Sequence, residues 1–287
     1  MKNIDVGVIG GSGLYDLAGL EDRTEVNLET PFGNPSDSYI TGTLHGRRVA
    51  FLPRHGRGHT LLPSELNFRA NIYGFKLMGV KSIISASAVG SLKEDHHPMD
   101  FLLPDQFIDR TRNRISTFFG DGLVAHIAFS DPVCPSLCDL LAKAAGKIDI
   151  NLKQGGTYVN MEGPAFSTRA ESFLYRSWGA DLIGMTNLQE AKLAREAEIC
   201  YVTIAMVTDY DCWHEEEESV NVEQLIGYLL KNSENAKKLI SEAIRIMDPD
   251  VDCGCRHALE NSILTSRERV PAATLEKLKP LVGKYFN

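Results

Sequence analysis

The chain has 287 residues, of which 43% are hydrophobic and 24% are charged. These fractions are typical of a folded globular protein and exclude a disordered, collagen-like or coiled-coil chain. The formal net charge of −8 argues against broad binding to nucleic acid or to an anionic membrane surface, because both require clustered Lys and Arg, but it is compatible with a small local anion site.

Apolar strand-like runs alternate with helical patterns along the chain. The predicted strands cover residues 6–9, 48–52, 80–87, 123–129, 157–161, 181–185 and 200–207. The predicted helices cover residues 63–78, 167–178, 187–198 and 222–246, the last as a continuous i, i+3, i+4, i+7 stripe. Apolar strands that alternate with helices predict an α/β fold whose sheet is covered on both faces. We expect one domain over residues 1–287, with a tail over 248–287 that ends in a helix.

The compartment follows from what the sequence lacks. No apolar run approaches the roughly 18 residues that a membrane span needs, and the first residues lead into a strand without an apolar leader pattern. We therefore expect a cytoplasmic protein that binds neither membrane nor nucleic acid.

The six cysteines are too few for a disulfide scaffold. We interpret four of them as buried free thiols, namely Cys134, Cys138, Cys200 and Cys212. Cys253 and Cys255 are separated by one glycine in a polar loop. This pair leaves three alternatives open: a strained disulfide, a redox pair or two inert thiols.

Glycine-rich and polar segments follow directly after the predicted strands, at residues 10–13, 54–59, 85–90, 185–187 and 208–211. Ligands of open α/β sheets bind beyond the carboxyl ends of the strands. We therefore expect the functional site at this edge of the sheet.

The first of these segments, Gly10-Gly11-Ser12-Gly13, invites a nucleotide interpretation that its spacing does not support. Asp16 stands where a dinucleotide fingerprint needs a third glycine, and the Lys of a Walker loop is absent. A turn that presents backbone N–H groups and one hydroxyl suits a single phosphate. A purely structural tight turn is the alternative.

Arg54 and His55 follow the second strand. An arginine fork matches phosphate oxygens, and the histidine adds a titratable donor. Combined with hydroxyls at other strand ends, they would form a cage that holds phosphate without a metal. Its members are Ser12, Arg54, His55, Ser87 and Thr186.

Asp209 and Asp211 follow the last predicted strand and leave three interpretations open: a metal site, a helix cap or a pair that recognises a base. Magnesium normally recruits further carboxylates, which the other strand ends lack. A carboxyl group beside another carboxylate in a partly dry cleft has a raised pKa and can protonate a leaving group.

Residues 94–97 resemble a metal cluster, but consecutive loop residues converge poorly on one ion, so a solvated loop is favoured.

Taken together, these loops resemble those of the trimeric purine nucleoside phosphorylases, and within them the branch that cleaves methylthioadenosine. The matching segments come in family order and cover residues 10–13, 54–56, 87–92, 105–111, 162–171 and 205–213. The resemblance extends to about residue 247.

The resemblance implies a single α/β domain with a twisted mixed sheet. It also implies a homotrimer with sites at subunit interfaces, with a dimer of trimers as the alternative assembly. The implied reaction is phosphorolysis of methylthioadenosine to adenine and 5-methylthioribose 1-phosphate. Inorganic phosphate would be the co-substrate, and neither a metal nor an organic cofactor would take part.

By position, the resemblance also assigns site residues. Phosphate would be held by Ser12, Arg54, His55, Ser87 and Thr186, with the backbone of Ala88. Asp209 would be the catalytic acid at N7 of the purine, and Asp211 would accept a hydrogen bond from the 6-amino group. The remaining substrate contacts would be Phe166 near the sugar and base, Met185 at the ribose, and His59, Val222 and Leu225 around the methylthio group. His126, which its apolar run would otherwise mark as a core histidine, would reach in from the neighbouring subunit.

Aspartate at both 209 and 211 favours an aminopurine, because the 6-oxopurine relatives carry Asn at the position that faces N7. Asn187 stands where the best-known relatives carry Thr, which leaves base selectivity less settled at that point. Two alternatives follow: a purine nucleoside or methylthioinosine phosphorylase, and a nucleotide-binding module without turnover.

Overall fold

The computed structural model describes residues 3–11, 14, 17–214 and 222–286, without the side chains of residues 222–226, and these residues form eleven strands and six α-helices. The strands are β1 Val6–Gly10, β2 Glu21–Val26, β3 Tyr39–Leu44, β4 Arg47–Pro53, β5 Ser82–Ser91, β6 Phe101–Leu103, β7 Gln106–Arg110, β8 Leu152–Gln154, β9 Thr157–Met161, β10 Leu182–Gly184 and β11 Cys200–Tyr210. The helices are α1 Phe68–Leu77, α2 Pro135–Ile148, α3 Arg169–Ser177, α4 Asn187–Glu196, α5 Val222–Ile246 and α6 Ala272–Val282.

The strands pair into one mixed sheet. Its main path runs β2-β3-β4-β1-β5-β10-β9-β7, while β11 pairs with β5 and β6, and β6 pairs with β8. The central pairs β1–β4, β1–β5 and β5–β11 are parallel, whereas β3–β4, β5–β10 and β6–β11 are antiparallel. The carboxyl ends of β1, β4, β5 and β11 therefore meet at one edge of the sheet. The mixed α/β fold implied by the resemblance is confirmed.

Helices cover both faces of this sheet, as the apolar strands predict. On one face, Val202 packs in a cluster with Leu141 of α2 and Leu239 of α5. On the other face, Phe75 of α1 packs in a cluster with Leu193 of α4 and Leu278 of α6, and all six side chains are almost fully buried. The C-terminal tail thus adds α6 to the core.

Two predicted elements differ from the structure. Residues 123–129 form no strand; they carry only isolated bridges from Leu123 to Gly120 and from Ala125 to Ile263. The helix predicted over residues 63–78 begins at Phe68, because the Asn67 side chain accepts a hydrogen bond from the Ala70 N–H and caps it there.

Several elements have no counterpart in the predicted set. β2 is polar and lies at the exposed edge of the sheet, while β6 and β8 are only three residues long, too short for a pattern that marks a strand. Conversely, β5 and β11 extend beyond their predicted ends to Ser91 and Tyr210. No helix within the described residues is long and apolar enough to span a membrane.

Candidate active site

Arg54 lies buried below the carboxyl edge of the sheet, in an ion pair with Glu190 of α4. The Arg54 Nε donates to Glu190 Oε1 at 2.5 Å, and both side chains are at most 3% exposed. The same guanidinium donates to the Ala86 carbonyl at 3.0 Å and to Ser85 Oγ at 2.5 Å. Burial lowers the pKa of Arg54, but the charge of Glu190 and the hydrogen bond to it, with smaller contributions from Tyr201 and Tyr158, together raise it above its usual value, so the arginine stays charged. The sequence did not reveal Glu190, which lies within an ordinary helical pattern.

Asn187 joins this ion pair to the other strand ends through a buried polar network. Its Oδ1 accepts hydrogen bonds from Ser87 Oγ at 2.7 Å and Tyr158 OH at 2.9 Å. Its Nδ2 lies within donor distance of Ser85 Oγ, Tyr201 OH and Thr203 Oγ1, at 3.0–3.1 Å. The amide is thus saturated by side chains below the site, at the residue where the sequence left base selectivity less settled.

The backbone of this network also places Thr186 and Met185. Thr186 is the N-cap residue of α4, but its hydroxyl does not cap the helix; instead, Asn160 Oδ1 accepts from the Leu188 N–H at 3.2 Å. The Met185 carbonyl accepts hydrogen bonds from Asn160 Nδ2 and from Arg114. Thr186 is buried and Met185 is half-buried. The structure therefore brings Arg54, Ser87 and Thr186 together around one buried network.

His55 is held in one tautomer. Its Nδ1 lies 2.8 Å from the Leu61 carbonyl oxygen, which can only accept, so Nδ1 carries the hydrogen and Nε2 is an acceptor in the neutral ring. The exposed His59 ring stacks on it with centroids 4.3 Å apart. Burial, with a smaller contribution from the charge of Arg54, lowers the pKa of His55 to about 4. At neutral pH His55 is thus uncharged and suits a protonated phosphate oxygen rather than a bare one.

We expect a pH-dependent contribution of His55 to stability. Its pKa is about 6.5 when unperturbed and about 4 in the fold, so between these values the unfolded chain binds more protons. The free energy of unfolding that His55 contributes therefore falls as pH drops from about 6.5 to about 4. The His55→Asn variant keeps a donor for the Leu61 carbonyl but does not titrate, so its urea-unfolding free energy should fall less steeply than that of the parent. The exposed His97→Asn variant is the control, and parallel curves for the parent and His55→Asn would contradict the assignment.

Asp209 and Asp211 are placed by a bulge in β11. Val207 pairs with Val89 and Asp209 with Gly90, so Thr208 is an extra residue. The Thr208 hydroxyl donates to Asp209 Oδ1 at 2.5 Å. A Cβ built on Gly90 would lie 3.6 Å from both Asp209 Oδ2 and the Asp211 Cβ, which brings both carboxyl groups beside the same glycine. Asp211 is 8% exposed, and its Oδ2 is buried without a hydrogen-bond partner among the described residues.

The other predicted site residues lie outside this cluster. Phe166 is 83% exposed on the loop before α3. His126 is exposed rather than in a strand or the core, and its N–H donates to the Ser262 carbonyl. Ala88 is exposed beside Ser87 on β5. Ser12 and the side chains of Val222 and Leu225 lie outside the described residues.

The arrangement combines two chemistries at one sheet edge. A charged, pre-oriented arginine with hydroxyls nearby suits an oxyanion. A buried carboxylate oxygen without a donor suits an N–H group, since leaving it unpaired carries a desolvation cost. The site can therefore hold an anion next to a group that offers hydrogen-bond donors.

Comparisons with known proteins agree with this geometry. The model of the phosphorylase superfamily matches residues 5–245. An S-methyl-5'-thioadenosine phosphorylase from Koribacter versatilis (strain Ellin345) is 62% identical over 282 residues, which are 98% of this chain and 97% of that one. The crystal structure of a methylthioadenosine phosphorylase sourced from an antarctic soil metagenomic library aligns with a TM-score of 0.95 at 48% identity, covering 98% of this chain and 99% of that one.

A mutant of the adenosine/methylthioadenosine phosphorylase from Schistosoma mansoni, in complex with methylthioadenosine, aligns with a TM-score of 0.79 at 35% identity and covers 84% of this chain and 91% of that one. The chain therefore belongs to the phosphorylase superfamily, and within it to the family of the S-methyl-5'-thioadenosine phosphorylases.

Proposed function

We propose that the protein catalyses phosphorolysis of S-methyl-5'-thioadenosine to adenine and 5-methylthioribose 1-phosphate. The observation that carries this proposal is the unpartnered, buried Oδ2 of Asp211 at the same sheet edge as the Arg54 cluster. The Asp211 oxygen suits the amino group of a purine, and the Arg54 cluster suits phosphate. The activities named for the relatives support the same reaction.

The chemistry requires stabilisation at both ends of the breaking bond. As the C1′–N9 bond breaks, its electron pair goes to the purine and positive charge builds on the ribose. A phosphate oxygen forms the new bond to C1′, and its negative charge stabilises the sugar. In our proposal Arg54, Ser87, Thr186 and His55 orient this phosphate, together with Ser12 and the Ala88 backbone.

Asp209 supplies the proton in this scheme. Its Oδ1 accepts a hydrogen bond from the Thr208 hydroxyl, which orients the carboxyl group, and in our proposal this group carries a proton to N7 of the leaving purine. Asp211 Oδ2 accepts from the 6-amino group. A 6-oxopurine would place its carbonyl oxygen against this acceptor, and a buried mismatch of that kind is strongly rejected. Phe166, Met185, His59, Val222, Leu225 and the neighbouring subunit's copy of His126 complete the substrate contacts in this proposal.

A substrate panel tests the assignment. We expect kcat/KM for methylthioadenosine to exceed that for inosine and methylthioinosine at least about 100-fold, because only the aminopurine satisfies Asp211. Adenosine is the second substrate to compare, since the Schistosoma mansoni relative is named for both nucleosides. Adenine release should require phosphate and should not change with added Mg²⁺, because we propose that no metal or organic cofactor takes part. Preference for inosine would refute the base assignment, and no phosphate-dependent release from any nucleoside would favour a binding module.

We further propose a homotrimer with sites shared between subunits, with a dimer of trimers as the alternative assembly, in the cytoplasm. The high exposure of Phe166, an aromatic side chain assigned to the substrate, supports a site that a neighbouring chain completes. Light scattering after size-exclusion chromatography gives the mass. A fully active monomer would contradict the shared site.

A further inference from the structure

Four of the six cysteines converge at the edge of the sheet opposite the candidate active site. Cys134 precedes α2, Cys200 begins β11, and Cys253 and Cys255 lie on the loop after α5. Their Sγ atoms all lie within 4.8 Å of one another, and the Cys134 and Cys253 sulfurs are 3.5 Å apart. The sequence placed these thiols in two separate groups. The remaining two do not join them: Cys138 is half-buried in α2, and Cys212 is exposed rather than buried.

The sulfur spacing fits a shared ion. Tetrahedral Zn²⁺ binds thiolates at about 2.3 Å, which sets the sulfurs about 3.8 Å apart, whereas a disulfide joins two sulfurs at about 2.05 Å. The 3.5 Å between Cys134 and Cys253 lies close to the first value and far from the second. Small shifts would bring the four sulfurs to a regular tetrahedron. An all-thiolate, tetrahedral donor set favours zinc, with iron as the other first-row ion of this class.

The surroundings suit a site of net negative charge, which four thiolates around a divalent cation produce. The Cys255 N–H donates to Cys253 Sγ at 3.4 Å, as outer contacts that orient metal-bound ligands do. Arg256 is adjacent, and its Nε is buried without a hydrogen-bond partner within the described part of the chain. A positive donor of this kind would compensate part of the charge.

An entry path exists beside the cluster. A cavity of about 630 Å³ is lined by Cys134, Cys200 and Cys253, together with Arg256 and Lys143. An ion can therefore reach the sulfurs without unfolding of the core.

We propose that Cys134, Cys200, Cys253 and Cys255 bind one divalent cation, with Zn²⁺ as the best fit, in a structural tetrathiolate site. Binding releases four thiol protons as four metal–sulfur bonds form, so no oxidant or reductant is needed. All four coordination positions are filled by protein, which is the pattern of a structural site rather than a catalytic one. The cluster is also too far from the candidate active site for a catalytic role, because the residues of β11 from Cys200 to Asp209 span roughly 30 Å at about 3.3 Å per residue. The ion would tie the chain after α5 to α2 and to the start of β11.

Metal analysis of the full chain tests this proposal. The protein is purified under reducing, anaerobic conditions without chelator, and its metal content is measured by mass spectrometry of the elements. We expect about one zinc ion per chain, and below about 0.1 in the Cys253→Ser/Cys255→Ser variant, because two ligands cannot retain it. Cys138→Ser and Cys212→Ser are matched controls that should keep the metal. Iron in place of zinc would support the same site.

A second measurement does not depend on how the variants fold. Titration of the metal-depleted parent with Co²⁺ should give the intense visible bands of tetrahedral cobalt thiolate, saturating at one equivalent. Alkylation at lysis in denaturant with a chelator, and without reductant, removes any bound metal, exposes the buried thiols and shows which of the six cysteines are reduced. Labelling of only Cys138 and Cys212 would show two disulfides and overturn the proposal. Labelling of all six with no metal in the parent and no cobalt bands would show inert thiols and overturn it as well.

Discussion

Asp209→Ala lowers kcat for methylthioadenosine phosphorolysis by about 100-fold or more, the range expected for loss of a general acid. Without a proton at N7, the purine leaves as an anion, and the phosphate on the other side of the ribose does not compensate for that charge. Steady-state kinetics at saturating phosphate measure the effect. Near-normal turnover by this variant would refute the role of Asp209.

Asp211 provides the matched control for Asp209. Asp211→Asn keeps the shape of the side chain but turns part of its acceptor into a donor, so we expect a raised KM for methylthioadenosine and a smaller penalty for methylthioinosine. In our scheme Asp209 variants act on kcat and Asp211 variants act on base selection. If Asp211 variants instead lowered kcat and Asp209 variants changed base selection, the two roles would be exchanged.

Glu190→Gln lowers the free energy of unfolding by roughly 3–5 kcal/mol, the typical cost of removing one partner from a buried ion pair. The Arg54–Glu190 pair is 3% and 2% exposed, so water does not replace the lost carboxylate. In the variant, bound phosphate becomes the main counter-ion of Arg54. We therefore expect phosphate to raise the Tm of Glu190→Gln more than it raises the Tm of the parent.

Glu196 is the control for this second experiment, because it lies buried on the same helix but forms no ion pair with any described residue, and the charge of Lys192 is only a minor influence on its pKa. Its carboxyl group accepts hydrogen bonds from Thr117 Oγ1 and the Phe118 N–H, and burial raises its pKa to about 7. Glu196→Gln should therefore lose far less stability and leave the phosphate-dependent Tm shift unchanged. Equal losses in the two variants would show that burial of a carboxyl group, and not the ion pair, sets the cost.

The sequence predicted the fold class and the site edge because both depend on local patterns. Apolar runs marked β1, β4, β9 and β11, and the polar segments after strands marked the edge where Arg54, Ser87 and Asp209 lie. The sequence did not predict the polar strand β2, because an exposed edge strand needs no apolar run. The strand predicted over residues 123–129 failed because apolar residues alone do not supply a pairing partner.

The parts of the site that the sequence did not predict depend on contacts between residues far apart in the chain. Glu190 looks like a solvent-facing glutamate of a helix, and only the fold reveals its pairing with Arg54, 136 residues earlier. At Asn187 the sequence showed only a departure from the Thr of the best-known relatives, and only the fold shows the five side chains that hydrogen-bond to its amide. Buried polar networks of this kind are specified by tertiary structure, and local sequence carries no signal for them.

The bulge at Thr208 has a consequence for the separation of charge. Side chains alternate between the faces of a strand, so in an unbroken β11 both aspartates would share the face of Tyr201 and Thr203, whose hydroxyls contact Glu190 and Asn187. Two more carboxylates on that face would compete with phosphate for Arg54. The extra residue turns them to the other face, beside Gly90. One residue of additional strand length thus keeps the acidic half of the site from neutralising its cationic half.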